Sequence, residues 1–394
     1  MKRHLTAALA TCIVLSAEGC AAPEDDEPST QPPAVELAVK TQALSPPGYG
    51  AVAWEEVPQV GATLTSLSNN LAPLQGSGVA LVLHWKAEQL DDAARWAIVS
   101  KARSMGIAVH PWLTLPQGSL ADQQPGAPLY AKTGYFPNDT NYAEWIAKAK
   151  QLMSLWRARG LPPTTMVVDL EMRRERLERF SQITNDGTPL DQVVTFLRQN
   201  IDRPRHAASI AAFRDYVNYA HGLGFKVAAT TLLPMVDDYG DDDDDLRQAF
   251  NVPIENAPNS ASAIAWDEVS FQIQRTLYKQ TWGFLTSYFV QDYALLVRLL
   301  FGAKAGVGLG ITDAAWTDAP VYANGDELRV DVEAARRAGI ATAKIGVYSY
   351  FGMYTRNTSQ WFKAPRNLPP VLPDLQTGLV HGSFWTLDGL LNGS

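Results

Sequence analysis

From residue 51 the chain repeats one unit: a short β-branched apolar run, a polar loop, then a stretch of helical period. Eight such runs fall at 51–55, 78–85, 106–115, 164–172, 224–233, 267–274, 305–312 and 344–353. Between them, apolar residues recur at three- and four-residue spacing, clearest over 90–104, 142–158, 210–223 and 327–338. That spacing predicts amphipathic helices. Four of these segments close on a basic residue or histidine followed by glycine, at Gly106, Gly160, Gly224 and Gly339, which is helix C-terminal chemistry. Strands alternating with helices pair in parallel through right-handed crossovers. Eight units closing on themselves make an α/β fold of the (β/α)8 TIM-barrel type. A doubly wound open sheet is the competitor, but no glycine-rich phosphate loop follows the first strand.

The segment before the first run has a different character. Met1 to His4 is basic, residues 5–17 are apolar but too short to span a bilayer, and Gly19-Cys20-Ala21-Ala22 follows. Residues 1–19 read as a signal peptide, with Cys20 in the position of a lipidated lipobox cysteine. Ala17-Glu18 departs from the usual Leu-Ala or Leu-Ser, and ordinary cleavage after Ala22 is the alternative. Residues 20–46 are rich in Pro, Ser and acid and form a tether. Residues 47–394 then carry the barrel and a C-terminal extension. The expected place is outside the cytoplasm, anchored to the bacterial envelope by lipid alone, or else secreted or periplasmic. The two cysteines, Cys12 and Cys20, both lie in the signal region, so the domain has no disulfide and no cysteine metal site. Residues 284–301 are broken by Gln291, Asp292 and Arg298 and read as an amphipathic helix.

Charge narrows the ligand. A net charge of −8 argues against a nucleic-acid partner, which needs clustered Lys and Arg. A carbohydrate fits better, because Trp and Tyr can stack on sugar faces, although most such rings belong to the core.

In a barrel the reactive groups sit at the C-terminal ends of strands. The fourth run ends Met166-Val167-Val168-Asp169-Leu170-Glu171-Met172. Asp169 and Glu171 are two residues apart and so share a face with Val167, while Val168, Leu170 and Met172 point toward the helices. Two lumenal carboxylates are costly unless solvated, paired or used. Close like charges also favour keeping one proton, which suits general-acid work. The structural alternative is a pair bridged to Arg173, Arg174 or a lysine.

Other strand ends supply supporting groups: Trp54 and Glu55 on the first run, His84 and Trp85 on the second, His110 and Trp112 on the third. Gln272 and Gln274 follow on the sixth, Asp313 on the seventh, and Tyr348 and Tyr350 on the eighth. Aromatic rings could stack on pyranoses, and Gln and His could fix hydroxyls. Glu55 and Asp313 are reserve carboxylates should the chemistry use two different strands.

The Asp169-Leu170-Glu171 motif resembles the fourth-strand motif of barrel glycoside hydrolases. Family 18 chitinases and endo-N-acetylglucosaminidases carry D-G-x-D-x-D-x-E there, and family 25 lysozymes carry a shorter D-x-E. The resemblance implies that Glu171 is the general acid/base and that Asp169 orients an N-acetyl group for substrate-assisted attack. It implies no cofactor. The chain departs from family 18 at Val167, in lacking the leading Asp-Gly, and at Val109-His110-Pro111-Trp112, where that family has Ser-x-Gly-Gly.

Two rival readings remain open. One is a non-catalytic surface lipoprotein that keeps the barrel for carbohydrate binding or structure. The other is a metal-dependent hydrolase using His84, His110 and Asp169, for which no metal-binding spacing exists in the sequence. The acidic stretch 237–245 reads as a solvated, flexible loop, with calcium binding as the alternative. The arginine-rich segment 173–206 reads as a lid or cleft wall.

Overall fold

The eight apolar runs become eight parallel strands in a computed structural model of the chain. It describes residues 51–55, 61–116, 135–173, 176, 179–180, 183, 188–240, 243–254, 263–282, 285–310, 312, 321–355, 361 and 371–392. The strands are β1 (Ala51–Glu55), β2 (Ala80–Lys86), β3 (Val109–Thr114), β4 (Thr165–Leu170), β5 (Lys226–Leu232), β6 (Glu268–Gln272), β7 (Ala305–Gly310) and β8 (Ile345–Tyr348). Each pairs with its sequence neighbours, and β8 closes onto β1, so the sheet is a complete (β/α)8 barrel. The first 50 residues, and with them the expected signal peptide, Cys20 and tether, lie outside the described residues.

Eleven helices are named among the described residues. They are α1 (Gly61–Asn69), α2 (Ala93–Ser104), α3 (Tyr142–Ala158), α4 (Leu190–Arg198), α5 (Arg203–Gly222), α6 (Asp245–Ala249), α7 (Arg275–Trp282), α8 (Ser287–Phe301), α9 (Gly325–Arg337), α10 (Tyr350–Thr355) and α11 (Leu375–Asn392). None of the described helices is long and apolar enough to cross a membrane. The helix-stop glycines take the left-handed conformation that a side chain resists, as at Gly106 (φ 74°) and Gly224 (φ 82°).

Alternation along the strands builds two separate apolar regions. Met166, Val168, Leu170 and Met172 join the large core between sheet and helices. Val167 instead joins Val82, Trp112, Tyr135 and Phe136 in a smaller cluster inside the barrel. The face assignment of β4 made from period-2 alternation therefore holds.

Two other assignments change. The eighth run extends only to Tyr348 as a strand, and residues 350–355 turn into α10. The acidic stretch is not a solvated loop: a 3-10 turn over Leu233–Gly240 buries Asp237 and Asp238, and Asp245 begins α6, also buried. Asp238 pairs with the buried Arg247 guanidinium, Asp245 with Arg203, and Asp243 caps Asp245. Each acid thus has a structural partner, while Asp241 and Asp242 lie outside the described residues. The C-terminal extension forms α11, which packs over this turn. There His381 sits between Asp237 (2.5 Å) and Asp292 (3.0 Å) and stacks on Tyr293. Burial opposes charge on this imidazole, but its two acid partners outweigh burial and push its pKa up to about 9. Burial also raises Asp237; with a second acid on the other ring nitrogen, the imidazolium is the form the cluster holds.

Candidate active site

The carboxylates Asp169 and Glu171 arrive at the C-terminal end of β4, side by side on the lumenal face, with 1% and 0% exposure. Two strands along, β6 alternates in the same way, so that Glu268, Ser270, Gln272 and Gln274 share one face while Val269, Phe271 and Ile273 pack into the outer core. Gln272 Nε2 donates to Glu171 Oε1 at 2.6 Å and to Asp169 Oδ1 at 3.3 Å. The two acceptor oxygens therefore lie no further apart than the sum of those distances, which is below the separation of about 6.5–9.5 Å that inverting glycosidases need for an intervening water. Among the described residues the Gln272 Oε1 acceptor and the Gln274 Oε1 acceptor are buried with no hydrogen-bond partner. Buried polar atoms of this kind are normally satisfied, so an orphan beside two carboxylates points to a ligand hydroxyl or a water.

Room for these long side chains comes from β7, whose lumenal positions are Gly306, Gly308 and Gly310. A Cβ at Gly310 would lie 3.2 Å from Gln274 Cγ and 3.3 Å from the Tyr348 carbonyl oxygen. Tyr348, at the end of β8, pairs in register with Gly310 and Trp54.

The opposite wall is aromatic. His84 lies against Trp112 (ring centroids 4.8 Å) and Tyr135 (5.8 Å), and its Nε2 pairs with Thr114 Oγ1 at 2.8 Å. Burial first, then the charges of Arg95 and Lys86, hold the His84 imidazole well below its ordinary pKa, so it is neutral. Its Nδ1 is a further buried atom with no partner among the described residues.

The strand-end residues expected at this mouth are not all there. Trp85 faces the other way, into the outer core, where it packs on Trp96 of α2 at 4.6 Å. The reason is phase: His84 and Lys86 occupy the lumenal positions of β2, so Trp85 between them cannot. Tyr350 has left the barrel with α10, and its hydroxyl donates to the Asn70 carbonyl. His110 is lumenal but belongs to the first turn of β3, near the N-terminal end, where Nδ1 meets Thr164 Oγ1 at 2.8 Å. Trp112 is inside the barrel but only 1% exposed, packed between His84 and the apolar cluster. The side chains of Trp54 and Glu55, and Asp313 altogether, lie outside the described residues.

The metal alternative built on His84, His110 and Asp169 fails on this geometry. His110 is at the wrong end of the barrel and His84 is turned to Thr114. Among the described residues, acidic and histidine ligand atoms converge only at Asp238, Asp243 and Asp388. Arg247 already occupies that place as a cation, pairing with Asp238 and donating to the Asp243 carbonyl at 2.6 Å. The arginine-rich segment after β4 holds its described members in fixed contacts. Arg176 donates to the Asn200 side chain and covers Phe196, and Arg205 pairs with the buried Asp139.

No protein-family profile matches this chain, and no curated protein does. Similar solved structures include the PgaB (BpsB) glycoside hydrolase domain from Bordetella bronchiseptica, 13% identical over 79% of this chain and 97% of that one, with a TM-score of 0.45. An L-ribulose 3-epimerase is 14% identical over 87% of this chain and 94% of that one, TM-score 0.39. The exo-beta-1,4-mannosidase Op5Man5 from Opitutaceae bacterium strain TAV5 is 11% identical over 86% and 60%, TM-score 0.39. Glycoside hydrolases and sugar epimerases thus both occur among the barrels it resembles, and the chemistry of the site is carried by its own residues.

Proposed function

We propose that this chain is an exported glycoside hydrolase, anchored through Cys20, that cleaves a glycan containing N-acetylhexosamine with retention of configuration. The observation that carries the reading is the shared Gln272 amide, which fixes Asp169 and Glu171 together at the catalytic end of the barrel. Glu171 donates its proton to the glycosidic oxygen as the bond to the anomeric carbon breaks. Asp169 holds the substrate acetamido group, whose oxygen attacks that carbon from the other face. Glu171, now ionised, takes a proton from the water that completes hydrolysis. Gln272 steadies both carboxylates through the cycle, and its free carbonyl oxygen can accept from a sugar hydroxyl. The test is a comparison of the wild-type chain and Glu171→Gln on chitin oligosaccharides, peptidoglycan and N-glycans. The expected result is loss of whichever cleavage the wild type performs; full retention would overturn the role of Glu171.

The near-complete burial of both carboxylates favours one other reading, a barrel that serves binding or architecture without catalysis. Under it the Gln272 bridge is a fold-holding contact, wild type cleaves none of these glycans, and Glu171→Gln lowers stability.

A further inference from the structure

The lumen has a second compartment that the proposed catalysis does not use. Below Val82 and Val167, toward the N-terminal ends of the strands, lies a cavity of about 260 Å³ whose mouth is flanked by Lys226, Asp267, Ala343 and Lys344. It exists because the lumenal positions here are small: Ala228 on β5, Ser270 on β6 and Gly346 on β8. In a barrel these layers are normally filled by branched side chains. A void of this size lined only by apolar groups would be a defect, but this one is lined by polar groups with unused capacity.

The hydroxyls of Thr230 and Ser270, 3% and 7% exposed, face the cavity and make no side-chain hydrogen bond among the described residues. Thr165 adds a third hydroxyl. The tautomer of His110 follows from its neighbour. Thr164 Oγ1 donates its one proton to the Val109 carbonyl at 2.8 Å, so it accepts from His110 Nδ1, and Nε2 is left as a bare acceptor. Glu268 stands on the opposite wall with no hydrogen bond or ion pair among the described residues. Gly306 leaves it room, since a Cβ there would lie 2.6 Å from Glu268 Oε1.

We propose that this lower cavity binds one small neutral polyol, of monosaccharide size or below. Hydroxyl groups both give and accept, as a set of two acceptors and three hydroxyls demands. With Lys226 and Lys344 set against Asp267 and Glu268, the lining selects neither a cation nor an anion. The volume falls just under that of pockets for drug-sized ligands, about 300–1,000 Å³. The environment agrees with an uncharged occupant: burial pushes Glu268 up to about 7 against the opposing charge of Lys344, and burial takes His110 down to about 4.

The test uses the full chain and ligand-observed NMR with glycerol, xylitol, glucose and N-acetylglucosamine. The expected result is that at least one binds wild type and Glu171→Gln equally, and binds Ala228→Leu, which fills the cavity, at least about tenfold more weakly. No binding by any of them overturns the proposal. So does binding that Glu171→Gln weakens and Ala228→Leu does not, which would put the polyol in the upper compartment. If Ala228→Leu does not fold, Glu268→Gln and Ser270→Ala decide. Each is expected to weaken binding by about three- to tenfold, the worth of one hydrogen bond, and unchanged affinity in both overturns the assignment. Because the upper site is left intact, failure here says nothing against the proposed hydrolase, and failure there says nothing against this cavity.

Discussion

The two ends of one lumen handle a lumenal carboxylate in opposite ways. At the upper end, Asp169 and Glu171 are almost fully covered but share an amide donor from Gln272. At the lower end, Glu268 has no donor among the described residues and lines the open volume. Both ends draw on the same strand, β6, whose alternation sends Glu268, Ser270, Gln272 and Gln274 into the barrel. The opposing side chains decide the difference. Near the top, β2 to β4 supply His84, Trp112 and the carboxylates, whereas near the bottom β5 and β8 supply Ala228 and Gly346. Asp169 and Glu171 are fixed by a shared donor, whereas burial without a donor pushes Glu268 up.

The largest expected effect that tests this contrast is at Gln272. Gln272→Leu removes the donor from two buried acids and should lower unfolding stability by about 1.5–3 kcal/mol, as measured by urea denaturation at pH 7. An unchanged midpoint would mean that the carboxylates do not depend on it. At the lower end the sign reverses. Burial raises Glu268 from its ordinary 4.5 to about 7, so between those values the folded state holds a proton that the unfolded chain has released. Stability should therefore fall as pH rises through that window, and the loss is complete above about 7. Glu268→Gln should remove the slope and stabilise the protein above pH 7 by about 1–3 kcal/mol. A variant that parallels wild type from pH 5 to 8 would break the comparison.

Smaller effects sharpen it. Gly310→Ala presses on Gln274 and on the backbone at Tyr348, where little can give, and should cost about 1 kcal/mol. Gly306→Ala presses on the Glu268 side chain from Cγ to Oε1, which can swing into the cavity, and should cost about half that or less. Equal penalties would show the cavity to be less open than its lining suggests. A control lies outside the lumen, at His381. Its folded pKa of about 9 means that its stabilisation is fully present below its ordinary 6.5 and is lost as pH rises through 9. His381→Gln should flatten the decline in thermal midpoint between pH 7 and 9.5 and leave the Glu268 window untouched.

Much of this was legible in the chain. The barrel followed from eight apolar runs, because parallel strands buried on both faces leave a near-continuous signal that needs no tertiary knowledge. Asp169 and Glu171 were legible because a strand has period 2, and so was the pairing of Gln272 with Gln274 on one face. Strand phase and layer separate the other strand-end residues from the site. Trp85 is adjacent to His84 and therefore opposite it, and His110 is four residues before the C-terminal end of β3 and belongs to the lower layer. Tyr350 was lost because a local turn into α10 overrides an apolar run. The lower cavity was not read because it consists of missing volume. Its sequence trace is the set of small residues Ala228, Ser270 and Gly346, visible only once β5, β6 and β8 are set around one lumen.

The most direct measurement of the central claim, that Glu171 and Asp169 are held for chemistry, follows hydrolysis and thermal midpoint together in Glu171→Gln. The expected result is a rate lower by about 10²–10⁴ with a midpoint unchanged or raised, since a residue kept for catalysis contributes little to folding. A lowered midpoint with no cleavage by the wild type on any glycan, or full activity in the variant, would contradict it.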